Sequence, residues 1–300
     1  MKILILGSEG FIGKHLVIFF TNKGDEVTGC DIVESSTQNY TYHKLSILSP
    51  DFDSLFINQS FDICMNASGS GNVSWSVIHP FNDFELNTVA VAKVLDTIRK
   101  YQPICKYIHI SSAAVYGNPK ELPVKETDTT APLSPYGFHK LMSETLCREY
   151  YELYILPIAI IRPFSVYGNG LKKQLLWDIC NKLQRNKSIS LFGTGGETRD
   201  FIHISDLLEL TAKIIDNSRF ECDVYNAASG TETSVREVAA IFEKNFPGSE
   251  ISFSGEQKKG DPANWKATIS KVINLGFTPK ANLGNSIADY INWYRSYGDR

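Results

Sequence analysis

The sequence lacks the cysteine patterns of disulfide-rich and zinc-binding proteins. Its six cysteines lie singly along 300 residues, and no Cys-x-x-Cys pair is present. Scattered thiols of this kind are typical of reduced proteins in the cytoplasm. We therefore expect a cytoplasmic protein with neither a disulfide framework nor a metal site.

The chain also lacks long runs of one charge and long apolar stretches. A net charge of −3 gives no general attraction to nucleic acid or to anionic membranes. No segment approaches the ~18 consecutive apolar residues of a membrane span. The apolar start at residues 2–6 is interrupted by Gly7 and Gly10. It predicts a buried strand followed by a helix, not a signal peptide.

What the first half does contain is a regular alternation of short apolar runs with longer amphipathic ones. This alternation predicts parallel β-α-β units and an α/β fold with a Rossmann-like, doubly wound sheet. We expect strands at 2–6, 26–30, 40–45, 61–66, 106–110 and 156–161, and helices at 11–22, 81–101 and 136–152.

The second half is less regular. Glycine-rich loops at 168–170 and 193–196 separate helices from short strands. We predict a dinucleotide-binding domain over 1–165, with a return segment near 200–230. A smaller α/β lobe over 166–300 would bind the substrate. The two would form a cleft at the carboxyl ends of the strands, where open α/β sheets bind ligands.

A glycine-rich turn joins the first strand to the first helix. Gly7, Gly10 and Gly13 have the spacing Gly-x-x-Gly-x-x-Gly, one residue different from the standard dinucleotide fingerprint. Such glycines allow a tight turn, backbone approach to a pyrophosphate and close helix packing. The alternative is a plain strand-to-helix turn.

Asp31 follows at the end of the second strand. A carboxylate there can accept both ribose hydroxyls of adenosine and repels a 2′-phosphate, so NAD is favoured over NADP. The alternative is an aspartate that only caps a loop.

The most informative pair is Tyr136 and Lys140. Four residues are about one helical turn, so both side chains share a face. A neighbouring ammonium lowers the pKa of a phenol and makes it a better proton acceptor. Ser112 follows the strand at 106–110, where a hydroxyl can bind the oxygen of the reacting carbon. The alternatives are a solvated helix face and a serine-rich loop.

Taken in order, these motifs resemble those of the extended short-chain dehydrogenase/reductases, in particular the UDP-glucose 4-epimerase-like nucleotide-sugar epimerases and dehydratases. The resemblance covers nearly the whole chain. It is carried by the glycine loop at 7–13, Asn87, Ser111-Ser112 with Tyr116-Gly117, Tyr136 with Lys140, and the runs Arg-Pro-Phe-Ser-Val-Tyr-Gly (162–168) and Arg-Asp-Phe-Ile-His-Ile-Ser-Asp (199–206).

The resemblance implies specific roles. Tyr136 is the acid/base, Lys140 holds the nicotinamide ribose and lowers the tyrosine pKa, and Ser112 polarises the sugar oxygen. Arg199 clamps the substrate diphosphate. The cofactor, NAD, is assigned to Gly7, Gly10, Phe11, Ile12, Gly13, Asp31, Ala67, Tyr136 and Lys140. The nucleotide sugar is assigned to Ser112, Tyr136, Ser165, Arg199 and Lys258. Asp206 is expected to cap the helix that follows it.

Four positions depart from the family pattern. Ala113-Ala114 stands where dehydratases carry acidic residues, so 4,6-dehydration lacks its proton donor and acceptor. Ser165 replaces an asparagine that contacts substrate. Lys258-Lys259 takes the place of an arginine clamp, and Ser46 replaces an aspartate that contacts adenine.

The resemblance implies an NAD-dependent epimerase acting on a nucleotide-activated hexose, most readily at C4 through a 4-keto intermediate. A nucleotide-4-keto-sugar reductase using the same residues, with NADH or NADPH, is the alternative. A regulatory protein that senses a nucleotide without catalysing a reaction is the alternative from another functional class. The helices at 81–101 and 136–152 carry more apolar residues, among them Val91, Val94 and Leu95, than burial on one sheet face readily absorbs. The family also implies a homodimer, in which these two helices form a four-helix bundle with their symmetry mates.

Overall fold

The main sheet takes its strands from residues 2–227 of the chain. The computed structural model describes residues 1–34, 40–46, 50–256 and 262–298. Within these ranges the sheet has seven strands in the order β10-β6-β5-β4-β1-β2-β3, all parallel. They are β1 (Lys2–Leu6), β2 (Glu26–Asp31), β3 (Thr41–Lys44), β4 (Ile63–Asn66), β5 (Lys106–Ile110), β6 (Ile158–Pro163) and β10 (Glu221–Ala227).

Helices cover both faces of this sheet. The α-helices of the described residues are α1 (Phe11–Asn22), α2 (Asp53–Asn58), α3 (Val73–Ile78), α4 (Pro80–Phe84), α5 (Ala90–Tyr101), α6 (Pro135–Tyr154), α7 (Gln174–Arg185), α8 (Ile204–Asn217), α9 (Val235–Asn245), α10 (Ser270–Ile273) and α11 (Leu283–Gly298). Of these, α7, α9 and α11 pack in the core of the smaller lobe. Apolar residues of α1 and α8 pack on one face and those of α5 and α6 on the other. The strands β4 and β6 are buried along their whole length, as parallel strands between two helical layers must be. The predicted fold class is confirmed.

The helix expected at 81–101 is interrupted. The chain runs through α4, a π-helical turn at Glu85–Val89 and then α5. One extra residue per turn shifts the helical register, and π-turns of this kind occur frequently at functional sites. Asn87 lies within this turn and is buried.

The smaller lobe contains two short sheets. One has the order β11-β9-β7, from β7 (Ser165–Tyr167), β9 (Thr198–His203) and β11 (Glu232–Ser234). The other pairs β8 (Ser188–Leu191) with β12 (Glu250–Phe253). The strand β10 lies between β9 and β11 in sequence, but it joins the main sheet beside β6. The domain boundary near 165 remains a prediction.

Two sequence-based interpretations need correction. Val91, Val94 and Leu95 were expected to be surplus apolar surface, but they are at most 3% exposed in the chain's own core, because the π-turn and α5 wrap them onto the sheet. Asp206 does not cap α8; its carboxylate accepts the backbone N–H groups of Lys280 and Ala281. The helix starts earlier than expected, and His203 caps it.

A helix that crosses a lipid bilayer must be both long and apolar. In the described ranges, none has both the length and the apolar composition of a membrane span.

Candidate active site

The glycine loop forms a tight cradle at the start of α1. Gly7 has a φ of +78°, a region that favours glycine, and its N–H donates to the Cys30 carbonyl at 2.8 Å. A Cβ on Gly13 would lie 1.9 Å from the Gly7 oxygen, so no side chain fits there. The first turn of α1 contains no acidic residue. The exposed N–H groups and the positive helix end therefore suit a pyrophosphate.

Asp31 holds the rim of this cradle. One carboxylate oxygen accepts the Glu9 N–H at 2.9 Å and the other accepts the Ile32 N–H at 2.7 Å. A carboxylate has about four acceptor sites, so both oxygens can still accept ribose hydroxyls. The position at the end of β2 is the one the sequence predicts.

Ser112, Tyr136 and Lys140 come together beyond the carboxyl end of β5. Pro135 starts α6, and the Ser134 hydroxyl caps it by accepting the Gly137 N–H. The Tyr136 N–H donates to the Ser76 hydroxyl at 3.1 Å. The Lys140 ammonium donates to the Ile110 carbonyl at 3.0 Å. Tyr136 and Lys140 are 8% and 4% exposed, so both have fixed positions.

The electrostatics of this group differ from the sequence-based expectation. Burial raises the pKa of the Tyr136 phenol to about 12, while a hydrogen bond from Ser112 lowers it and Asp83 raises it. Burial lowers the pKa of Lys140 to about 8. Lys140 is not among the groups that shift the pKa of Tyr136 here, and its ammonium donates to the Ile110 carbonyl. In this structure Ser112 is the group that favours the phenolate.

The buried carboxylate of Asp83 contacts α6, the helix that carries Tyr136 and Lys140. Asp83 is 0% exposed; its Oδ2 lies 2.6 Å from His139 Nδ1, and its Oδ1 accepts the Asn87 side-chain N–H at 3.1 Å. Asn87 also donates to the Ser70 carbonyl. The carboxylate thereby connects the π-turn, the loop after β4 and the residue next to Lys140.

A buried ion pair contacts the segment that carries Ser112. Arg162 on β6 and Glu144 on α6 are 2.6 Å apart, and their side chains are each 6% exposed. Glu144 also accepts the Ser111 hydroxyl at 2.5 Å. Arg162 donates in addition to the Tyr116 hydroxyl. This network joins α6, β6 and the segment that carries Ser112.

Arg199 and Ser165 lie on the opposite wall. Arg199 Nη1 donates to the carbonyls of Thr198 and Ala263, and its guanidinium lies 5.8 Å from the Trp265 ring. Its neighbour Asp200 is fully buried and accepts backbone N–H groups of Ser229, Gly230 and Ala267. The backbone that carries Arg199 is therefore firmly held.

One cleft of about 770 Å³ brings most of these residues together. Of the predicted site residues, Gly10, Phe11, Ile12, Ala67, Ser112, Tyr136, Lys140, Ser165 and Arg199 line it. Gly7, Gly13 and Asp31 are absent from this lining and shape the loop at its end. Lys258 lies outside the described residues.

Several lining residues carried no local sequence signal. Phe192, Trp265 and Lys173 line the same cleft. Lys173 was detectable only as a lysine directly before a helix, a position where lysine is uncommon.

A family model and curated relatives match this chain. The model described as "NAD dependent epimerase/dehydratase family" matches residues 3–228. A UDP-glucose 4-epimerase of Bacillus subtilis is 27% identical, with 99% of this chain and 97% of that protein covered. The bifunctional UDP-glucose 4-epimerase and UDP-xylose 4-epimerase 3 of Arabidopsis thaliana is 28% identical, with 97% and 95% covered.

Solved structures share the whole architecture. The UDP-glucuronic acid 4-epimerase of Bacillus cereus, crystallised with UDP-glucuronic acid and NAD, superimposes with a TM-score of 0.88 at 26% identity. The match covers 98% of this chain and 100% of that one. The likeness therefore includes the smaller lobe as well as the main sheet.

Proposed function

This chain belongs to the NAD-dependent epimerase/dehydratase family, and we propose that it catalyses the reversible C4 epimerisation of a nucleotide-activated hexose. The observation that carries the proposal is that Ser112, Tyr136 and Lys140 line one cleft with the N-terminus of α1. The epimerases among its relatives support this reaction.

The cradle at the start of α1 fits NAD. Gly7 and Gly13 leave no space for a side chain where backbone must approach a pyrophosphate. Asp31 would hold the adenosine ribose, and Lys140 and Tyr136 the nicotinamide ribose. When bound, NAD supplies the oxidation and re-reduction of the sugar carbon.

The chain's own residues manage the proton and the position of the sugar. Tyr136, as phenolate, would take the proton of the C4 hydroxyl, and Ser112 would bind the same sugar oxygen. Ser112 stabilises the phenolate by its hydrogen bond, which favours proton acceptance. Arg199, on the far wall, would hold the diphosphate while the sugar ring turns over.

The lining residues argue against dehydration. Ala113 and Ala114 place no carboxyl group beside Ser112. Among the described residues that line the cleft, the acids are Asp178 and Glu197. Asp178 pairs with Lys182 at 2.8 Å, and Glu197 accepts the N–H groups of Thr194 and Gly195. Both carboxylates have partners in the protein, and neither belongs to the segment that carries Ser112.

Turnover of a nucleotide-sugar panel tests the reaction. We expect UDP-, dTDP-, GDP- or CDP-hexoses to give C4 epimers by NMR with substoichiometric NAD. A mass loss of one water would contradict the argument from Ala113 and Ala114. A requirement for stoichiometric reduced cofactor with a 4-keto sugar would establish the reductase instead.

We also propose a homodimer through α4–α5 and α6. Phe81, Phe138 and Met142 on these helices are 68%, 49% and 45% exposed. Exposed apolar side chains on adjacent helices suit an isologous contact with a second copy.

Sedimentation should give a mass of twice 33.6 kDa, and Phe81→Asp should shift the measured mass toward that of the monomer. Ile104→Asp, at an 89% exposed position outside these helices, should not. A monomeric wild type at micromolar concentration would refute the dimer.

A further inference from the structure

The cleft has an excess of positive charge on its described lining. Lys140, Lys173, Lys182 and Arg199 face two carboxylates, Asp178 and Glu197. Three of these cations have partners in the protein. Lys140 donates to Ile110, Lys182 pairs with Asp178, and Arg199 donates to two carbonyls. Lys173 is the exception.

Lys173 reaches from the start of α7 to the loop after β4. Its Nζ lies 3.2 Å from the position that a Cβ on Gly71 would occupy, so it touches the loop after β4. Within the described residues it has no hydrogen bond and no ion pair. Burial of the ammonium lowers its pKa, although the residue as a whole is exposed to solvent.

The loop that Lys173 contacts continues into α3, and α3 contacts Tyr136. Gly71 lies two residues before α3, and Ser76 on α3 accepts the Tyr136 N–H. Ser70, on the other side of Gly71, is held by Asn87. Lys173 and Arg199 line the same cleft as Tyr136, and the Lys173 ammonium contacts the loop that precedes α3.

Local rules disfavour a lysine at this position. Lys173 is the N-cap of α7 and makes no side-chain capping bond. Asp, Asn, Ser and Thr are favoured there, and a cation is repelled by the positive helix end. The next residue, Gln174, has a φ of +67°, which is costly for a residue with a side chain. Positions that break local rules tend to be functional.

We propose that Lys173 determines substrate charge by binding an anionic oxygen of the nucleotide sugar, either a carboxylate on the sugar or the phosphate next to it. The inference rests on the proposed function and deepens it. Lys173 would supply a point charge to the substrate cleft, separate from the Arg199 guanidinium. An ammonium that approaches a substrate carboxylate or phosphate makes a charge-assisted hydrogen bond.

Titration calorimetry on the NAD-loaded protein tests this. The probes are UDP, UDP-glucose, UDP-glucuronic acid and inorganic pyrophosphate, compared in wild type, Lys173→Met, Lys173→Arg and the control Lys172→Met. Lys172 is exposed, outside the cleft lining, with its Nζ 3.9 Å from the Tyr297 ring centroid. Loss of a hydrogen bond to a charged group weakens binding by about 10–100-fold. We expect that loss in Lys173→Met and partial recovery in Lys173→Arg.

The pattern over the probes identifies the source of the anion. A loss confined to UDP-glucuronic acid assigns Lys173 to a sugar carboxylate, and an equal loss for UDP and UDP-glucose assigns it to phosphate. If Lys173→Met binds every probe as tightly as Lys172→Met does, the inference is wrong. Tight binding without turnover in wild type would refute the proposed reaction but still decide the role of Lys173. Failure of wild type to bind any probe would refute both.

Discussion

The two walls of the cleft hold their functional groups in different ways. On the nucleotide-binding side, Tyr136 and Lys140 are nearly buried and each is fixed by a partner from another element. On the opposite side, Arg199 is half-buried and Lys173 is in contact with solvent. The first wall is preorganised for chemistry, since its groups need no reorientation. The second can adapt to different substrates, which is where relatives with the same fold must differ.

The largest expected effect comes from the preorganised wall. Tyr136→Phe removes only the phenolic oxygen, so we expect kcat to fall by ~10²–10⁴-fold because general acid/base catalysis is lost. The protein should still bind NAD, and its melting temperature should be nearly unchanged. Steady-state kinetics with the best hexose of the panel measure it. Retention of more than about a tenth of wild-type kcat would remove Tyr136 from the proposed mechanism.

The same contrast should appear in stability. Glu144→Gln leaves the buried Arg162 without its counter-charge, and breaking such a pair costs about 3–5 kcal/mol. Asp178→Asn breaks an exposed i,i+4 pair with Lys182 on the other wall, which contributes about 0.3–0.5 kcal/mol. Urea unfolding measures both. Equal losses would show that the two walls do not differ in rigidity as described.

Cofactor choice tests the rim of the glycine loop. If Asp31 accepts the ribose hydroxyls, NAD binds more tightly than NADP. Asp31→Ala should then lower the ratio of the NAD affinity to the NADP affinity by about tenfold or more. Fluorescence titration with both cofactors gives the ratio. Asp31 also holds the Glu9 N–H, so a matched Asp31→Asn variant shows how much of the effect belongs to the loop. Equal affinities in wild type would refute the assignment.

Sequence predicted the preorganised wall much better than the adaptable one. The strands and the Tyr136–Lys140 pair follow from contiguous patterns, because burial on both faces and one helical turn leave a local signature. The π-turn at Glu85–Val89, the Ser76 contact and the position of Lys173 depend on residues distant in sequence. The direction of the Tyr136 pKa shift was also beyond local reasoning, since it depends on burial and on where the Lys140 ammonium points.

The smallest expected effect isolates Asp83, a positioning residue behind the catalytic helix. Its negative charge raises the pKa of both Tyr136 and Lys140. Asp83→Asn keeps the shape and a hydrogen-bonding group toward His139 and Asn87 but removes that charge. The phenol should then lose its proton at lower pH, so the acid limb of the kcat profile should move down in pH.

The pH profile separates this electrostatic role from a structural one. We expect kcat at the optimum to change by less than about tenfold, the equivalent of one pKa unit. Asp53→Asn is the matched control, because Asp53 accepts hydrogen bonds from Thr97 and Tyr101 on α5 and is not among the charges that shift the pKa of Tyr136. An unmoved acid limb in Asp83→Asn, or an equal shift in Asp53→Asn, would show that Asp83 only supports the packing of α6.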